Sequence, residues 1–162
     1  MKPFKLTGIQ YAALPYRLKD GQAQTLLITS RGTGRWVIPK GWPMKGLTPQ
    51  EAAATEAAEE AGIAGEIAQK PIGSYRYLKR RKDGQVMAVQ VIVFPLLVKE
   101  DALGFKERGQ RSSRWFGYRD AASRVAEPSL RRLIREFGGA QAPNVFVRAL
   151  RRYRAWRFGA HA

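Results

Sequence analysis

The stretch Gly41-Trp42-Pro43-Met44-Lys45-Gly46-Leu47-Thr48-Pro49-Gln50-Glu51-Ala52-Ala53-Ala54-Thr55-Glu56-Ala57-Ala58-Glu59-Glu60-Ala61-Gly62-Ile63 decides the fold. Gly41, Pro43 and Gly46 mark its opening as loop. Thr48-Pro49-Gln50-Glu51 has the form of a capping box with proline at the first helical position, which predicts a helix start. The alanine-rich run that follows has high helix propensity, and Gly62 stands where a left-handed residue ends a helix. Glu56, Glu59 and Glu60 are three and four apart and project from one side of that helix. Like charges at this spacing cost about 0.2–0.5 kcal/mol per pair, and the helix holds no cation to offset them. The pattern has two readings. One is a solvated acidic face. The other is a site for a hard divalent cation, which prefers carboxylate oxygens.

Upstream, Gly8 to Arg17 and Ala23 to Ser30 are apolar and read as strands, with Asp20-Gly21 as the hairpin turn between them. Trp36-Val37-Ile38 is a short third strand ended by Pro39. Downstream, 71–78 and 85–99 are β-rich around a second turn at Lys82-Asp83-Gly84, and Arg114-Trp115-Phe116 is a short strand. Leu130, Leu133, Ile134 and Phe137 follow helical spacing, and a last helix is expected from about Asn144 to Phe158. The order β-β-β-α-β-β-β-α-α predicts an α/β chain with helices packed on a mixed sheet.

The whole chain of 162 residues fits one domain. No apolar run approaches the roughly 18 residues of a membrane span. The opening Met1-Lys2-Pro3-Phe4-Lys5 has no apolar segment after it, so no signal peptide is expected. Absence of cysteine excludes disulfides and thiolate chemistry and suits a reducing, cytoplasmic setting. The single histidine, His161, leaves no basis for histidine acid–base catalysis.

The formal charge is +16, which favours anionic ligands. Residues 46–69 nevertheless contain no Lys or Arg, where the chain average would place about four. Five of the thirteen acids lie in that window. A cationic protein thus keeps one acidic, cation-free patch.

The quoted stretch resembles the Nudix box: a Gly, five residues, a Glu, seven residues, then Arg-Glu-apolar-any-Glu-Glu-any-Gly-apolar. Here Gly41 opens it and Thr55-Glu56-Ala57-Ala58-Glu59-Glu60-Ala61-Gly62-Ile63 closes it. The resemblance implies a Nudix-type α/β/α sandwich over residues 1–142; the arginines and apolar stripe of 143–162 add an extra basic helix expected to dock on the domain. Ser30-Arg31, Arg35-Trp36-Val37-Ile38-Pro39 and Arg114-Trp115-Phe116 further resemble the subgroup acting on diphosphoinositol polyphosphates and diadenosine polyphosphates. It implies Mg²⁺, or Mn²⁺, held by Glu56, Glu59, Glu60 and the Gly41 carbonyl, and hydrolysis of a phosphoanhydride by water. Glu56 and Glu107 are the candidate bases. Two positions depart from the pattern: Leu47 replaces the first Glu, and Thr55 replaces the Arg that orients the catalytic Glu.

Arg17, Ser30, Arg31, Arg35, Lys40 and Lys45 are the expected substrate grips, for a polyphosphorylated small molecule. Arg111 and Arg114 stand beside the base loop, and Arg76, Lys79, Arg80, Arg81 and Lys82 crowd the second hairpin. The charge also admits RNA as partner, and a non-catalytic polyanion-binding module is the alternative to an enzyme. Trp36 reads as core; Trp42 is the candidate for ligand contact.

Overall fold

The computed structural model describes residues 6–101, 104 and 107–141. The elements are β1 (Leu6–Lys19), β2 (Gln22–Thr29), β3 (Trp36–Val37), β4 (Lys40–Gly41), α1 (Pro49–Ala61), β5 (Ala64–Ile67), β6 (Gly73–Arg80), β7 (Val86–Glu100), β8 (Ser113–Gly117), α2 (Tyr118–Arg124) and α3 (Pro128–Gln141). Through α3 the expected order is present with three additions; the last helix, expected from about Asn144 to Phe158, lies outside the described residues. β4 and β5 are too short to carry a period, and α2 follows β8 directly. The basic segment 143–162 lies outside the described residues.

The first hairpin turns at Asp20 and Gly21, both with positive φ (51° and 75°), as a two-residue primed turn requires. β1 and β2 pair only from Tyr16↔Thr25 to Lys19↔Gln22 and then part. The strip Trp36–Gly41 takes up the freed partners: β3 pairs with Ile28 and Thr29 of β2, and β4 with Tyr11 and Ala12 of β1. Ala13 N–H to Pro39 O (3.1 Å) closes the join. This wedge carries Lys40 and Gly41 to the edge of α1.

Among the described residues the sheet has eight strands. Its spine is the parallel pairing of β1 with β7, from Leu6↔Ala88 to Tyr16↔Leu97. On its other edge β7 pairs antiparallel with β6 over its first half and β5 over its last. Alternation sends successive side chains to two cores. Ala12, Leu14, Leu27, Val89, Val91 and Val93 meet Ala121, Ala122, Leu130 and Ile134 of α2 and α3. Ala13, Leu26, Ile28, Phe94 and Leu96 meet Ala53, Ala57 and Ala61 of α1 on the opposite face. The result is the α/β/α sandwich expected. Trp36 packs with the first core, edge-on to Phe116 at 5.1 Å.

α1 begins and ends as its sequence dictates. The Thr48 side chain accepts from Glu51 N–H (3.3 Å), and the Glu51 carboxylate accepts from Thr48 N–H (2.8 Å). Gly62 closes the helix in left-handed backbone with its N–H on Ala58 O. The alanine stripe faces the sheet, which turns the glutamates toward β4. Among the described residues no helix is long and apolar enough to cross a membrane.

Candidate active site

A cavity of about 580 Å³ opens where β4, α1, β6 and the turn before β8 meet. One part of its wall is acidic: Glu56, Glu59 and Glu60 from α1, and Glu107. Facing them are Arg31, Lys40, Lys79 and Arg111. Glu107 is far from the helix in sequence, but its N–H donates to Glu59 O at 3.1 Å, tying its turn to α1.

Each acid is held differently. Gly41 backs directly onto Glu56; a Cβ there would overlap the Glu56 carboxylate. Burial, then Glu60, Glu59 and Glu107, push the Glu56 carboxyl up to about 7, against the opposing pull of Arg111. Glu60 is buried in the same wall. Its Oε2 accepts from Lys40 N–H (3.0 Å) and its Oε1 from Arg111 Nη2 (2.8 Å). Burial raises the Glu60 pKa, and Arg111 and the Lys40 N–H oppose the rise. Glu107 Oε1 lies 3.1 Å from Arg31 Nη1 and 3.6 Å from Arg111 Nη2. Burial lowers the Lys40 pKa, with Glu60 and Glu127 opposing. As the side chains stand, no three acidic groups among the described residues converge tightly enough to ligate one ion.

A second cavity, of about 740 Å³, adjoins the first and shares Arg31, Lys40, Tyr77, Lys79 and Arg111 with it. Ser30, Thr33, Arg35, Arg80 and Glu127 complete its polar wall. The Arg35 guanidinium donates to Glu127 at 2.8 Å, and the Ser30 hydroxyl accepts from Arg35 N–H at 3.2 Å.

Two expected grips line neither cavity. Arg17 lies near the hairpin end of β1, packed on the Trp115 ring at 4.2 Å and donating to Gln24 at 2.8 Å. Lys45 is exposed in the loop before α1. Leu47 is likewise 41% exposed and lines neither cavity. The Thr55 hydroxyl donates back to Glu51 O (2.9 Å) within its own helix. Trp42, 40% exposed, does line the first cavity, with the Lys79 ammonium 5.2 Å from its ring centroid.

Sequence reasoning missed Gln10, Tyr77 and Gln110, which line the first cavity. The Tyr77 hydroxyl donates to Gln10 Oε1 at 2.7 Å, and Gln10 is only 3% exposed. The signal for Gln10 was a polar residue inside an apolar strand.

Comparison with known proteins places this fold and its acid-lined cavity. Residues 10–137 match the family model for the NUDIX domain, and the chain belongs to that family. It is 30% identical over 143 residues to Nudix hydrolase 13 (mitochondrial) of Arabidopsis thaliana, covering 76% of this chain and 70% of that protein. It is 28% identical over 117 residues to the same plant's Nudix hydrolase 12 (mitochondrial), covering 70% of this chain and 58% of the relative. Among solved structures, a binary complex of C. elegans Ap4A hydrolase superposes with a TM-score of 0.62 at 22% identity, covering 85% of this chain and all of that one (100%). The NUDIX domain of Shewanella oneidensis NrtR complexed with ADP ribose gives 0.60 at 17% identity, covering 82% and 89%. At these identities the structural likenesses speak to the fold. Family membership and the named hydrolase relatives make this chain a hydrolase acting on phosphoanhydride bonds.

Proposed function

We propose that this chain is a Mg²⁺-dependent hydrolase of a polyphosphorylated substrate, with a diphosphoinositol polyphosphate or a diadenosine polyphosphate as the leading classes. The observation that carries the reading is the paired lining of the cavity: four carboxylates against four cations, continuous with a second basic cavity.

By chemistry, all oxygen and mostly carboxylate, the donor set suits a hard cation, which the side chains would have to draw together to hold. Glu56, Glu59 and Glu60 offer carboxylate oxygens, and Gly41 a carbonyl where no side chain has room. Burial first, and then the carboxylates of Glu60, Glu59 and Glu107, raise the Glu56 pKa, and a divalent ion would offset the second of these. When bound, Mg²⁺ neutralises charge on phosphate oxygens and on the leaving group. Arg31 and Lys40, shared by both cavities, grip phosphates, with Ser30 and Arg35 serving the far end. Glu56 takes the proton from the attacking water. Glu107, already shared by Arg31 and Arg111, is the weaker acceptor. A cytoplasmic location is part of the same proposal; the plant relatives named above carry organellar names.

The test is a panel of inositol pyrophosphates, dinucleoside polyphosphates, nucleotide sugars, nucleoside triphosphates and 5′-triphosphorylated RNA, with Mg²⁺ or Mn²⁺. Turnover of one of the first two, lost in Glu56→Gln and Glu60→Gln while the melting curve persists, supports the reading. A wild type that hydrolyses nothing, yet binds RNA equally well with and without those substitutions, supports a polyanion-binding module instead. Leu47 and Thr55, both departures from the motif, are what keep that second reading in play.

A further inference from the structure

The motif's orienting arginine is absent at Thr55, yet a guanidinium reaches the carboxylates from elsewhere. Arg111 comes from the turn before β8, and its side chain is 9% exposed. Its Nη2 lies 2.8 Å from Glu60 Oε1 and 3.6 Å from Glu107 Oε1, while its Nη1 donates to Thr29 O at 3.1 Å. Three elements are thereby joined: α1, the end of β2 and the Glu107 turn. With Lys40 N–H on Glu60 Oε2, both oxygens of Glu60 are fixed. A planar fork can hold two acids and a carbonyl at once, which a lysine ammonium does less well.

We infer that Arg111 is a positioning residue that sets Glu60 and Glu107, in a site whose motif arginine is replaced by Thr55. Arg111 acts on the reaction through these two acids, and a substrate phosphate is not its partner in this role. The inference rests on the hydrolase reading above.

The experiment measures kcat and KM of the full chain on whichever panel member the wild type turns over, and Mn²⁺ affinity by electron paramagnetic resonance. Arg111→Lys keeps the charge and guards against a misfolded Arg111→Gln. It is expected to lower kcat about tenfold with KM within about threefold. Arg111→Gln combined with Glu107→Gln is expected to lose no more than about threefold beyond the worse single variant, because the two share one function. The Mn²⁺ dissociation constant is expected to rise about threefold or more in Arg111→Lys, as the ligating carboxylate loses its orientation. A raised KM with intact kcat would recast Arg111 as a substrate grip and overturn the inference. So would multiplying losses in the double variant, or Mn²⁺ bound equally or more tightly by Arg111→Lys. If the wild type hydrolyses nothing, the hydrolase reading fails, and the Mn²⁺ arm still decides the positioning claim.

Discussion

Gly41 and Glu56 compete for one volume: the glycine leaves vacant the place the Glu56 carboxylate fills. Gly41→Ala would drive that carboxyl out of the cavity wall, since a Cβ cannot share its position. Activity on the best panel substrate is expected to fall by about tenfold or more, with β4 still paired and Tm lowered by only a few degrees. Unchanged turnover would show that the placement of Glu56 does not matter.

A pH effect follows from the same carboxyl. Glu56 titrates near 7 in the folded, metal-free protein, against a reference value of 4.5. Between those values the folded chain keeps a proton that the unfolded chain has released, so stability falls as pH rises through that window and levels off above it. The groups facing Glu56 are Glu59 and Glu60 on its own helix, Glu107 and Arg111. Glu60 shifts in the same direction and adds to the trend. Melting temperatures in EDTA are expected to decline from pH 5 to pH 7, and Glu56→Gln to flatten the decline. A wild-type Tm that is flat or rising over this range would contradict the assignment.

Tyr77→Phe removes the donor that satisfies Gln10, which is buried beneath the cavity. An orphaned buried carbonyl costs about 1–3 kcal/mol. Urea denaturation should register that loss. The Lys40 ammonium, 5.2 Å from the Tyr77 ring, keeps its aromatic neighbour in the variant, so phosphate affinity is expected to change little.

Thr48→Ala deletes half of the capping box at the start of α1. The expected cost is about 0.5–2 kcal/mol, read from denaturant midpoints. The carboxylates lie about two to three turns further along the helix, so turnover per folded molecule should be retained.

The parts of this molecule legible in its sequence are those governed by neighbours along the chain. The capping box, the Gly62 stop, the Asp20-Gly21 turn and the shared side of Glu56, Glu59 and Glu60 are local patterns, and each is present. The parts that were not legible depend on distant pairing. β5 contains Gly65 and Glu66 and has little strand character of its own; it exists because β7 is long enough to offer it an edge. Arg17 precedes the wedge in sequence, but it lies where β1 still pairs with β2, outside both cavities. Arg111 was one arginine among many until the fold set it against Glu60.

The wedge of Trp36–Gly41 has a consequence for how this chain tolerates change in length. Its residues serve β2 at one end and β1 at the other, so inserting or deleting a single residue would invert every side chain beyond it. Ile38 would exchange core for its opposite face, and the Lys40 amide would no longer meet Glu60. The preceding turn, where Ser30 N–H meets Arg35 O, has no strand register to keep between Gly32 and Gly34, though Ser30, Arg31 and Arg35 on either side of it line the second cavity. Insertions accumulated over descent should therefore collect at Gly32–Gly34 and stop abruptly at Trp36.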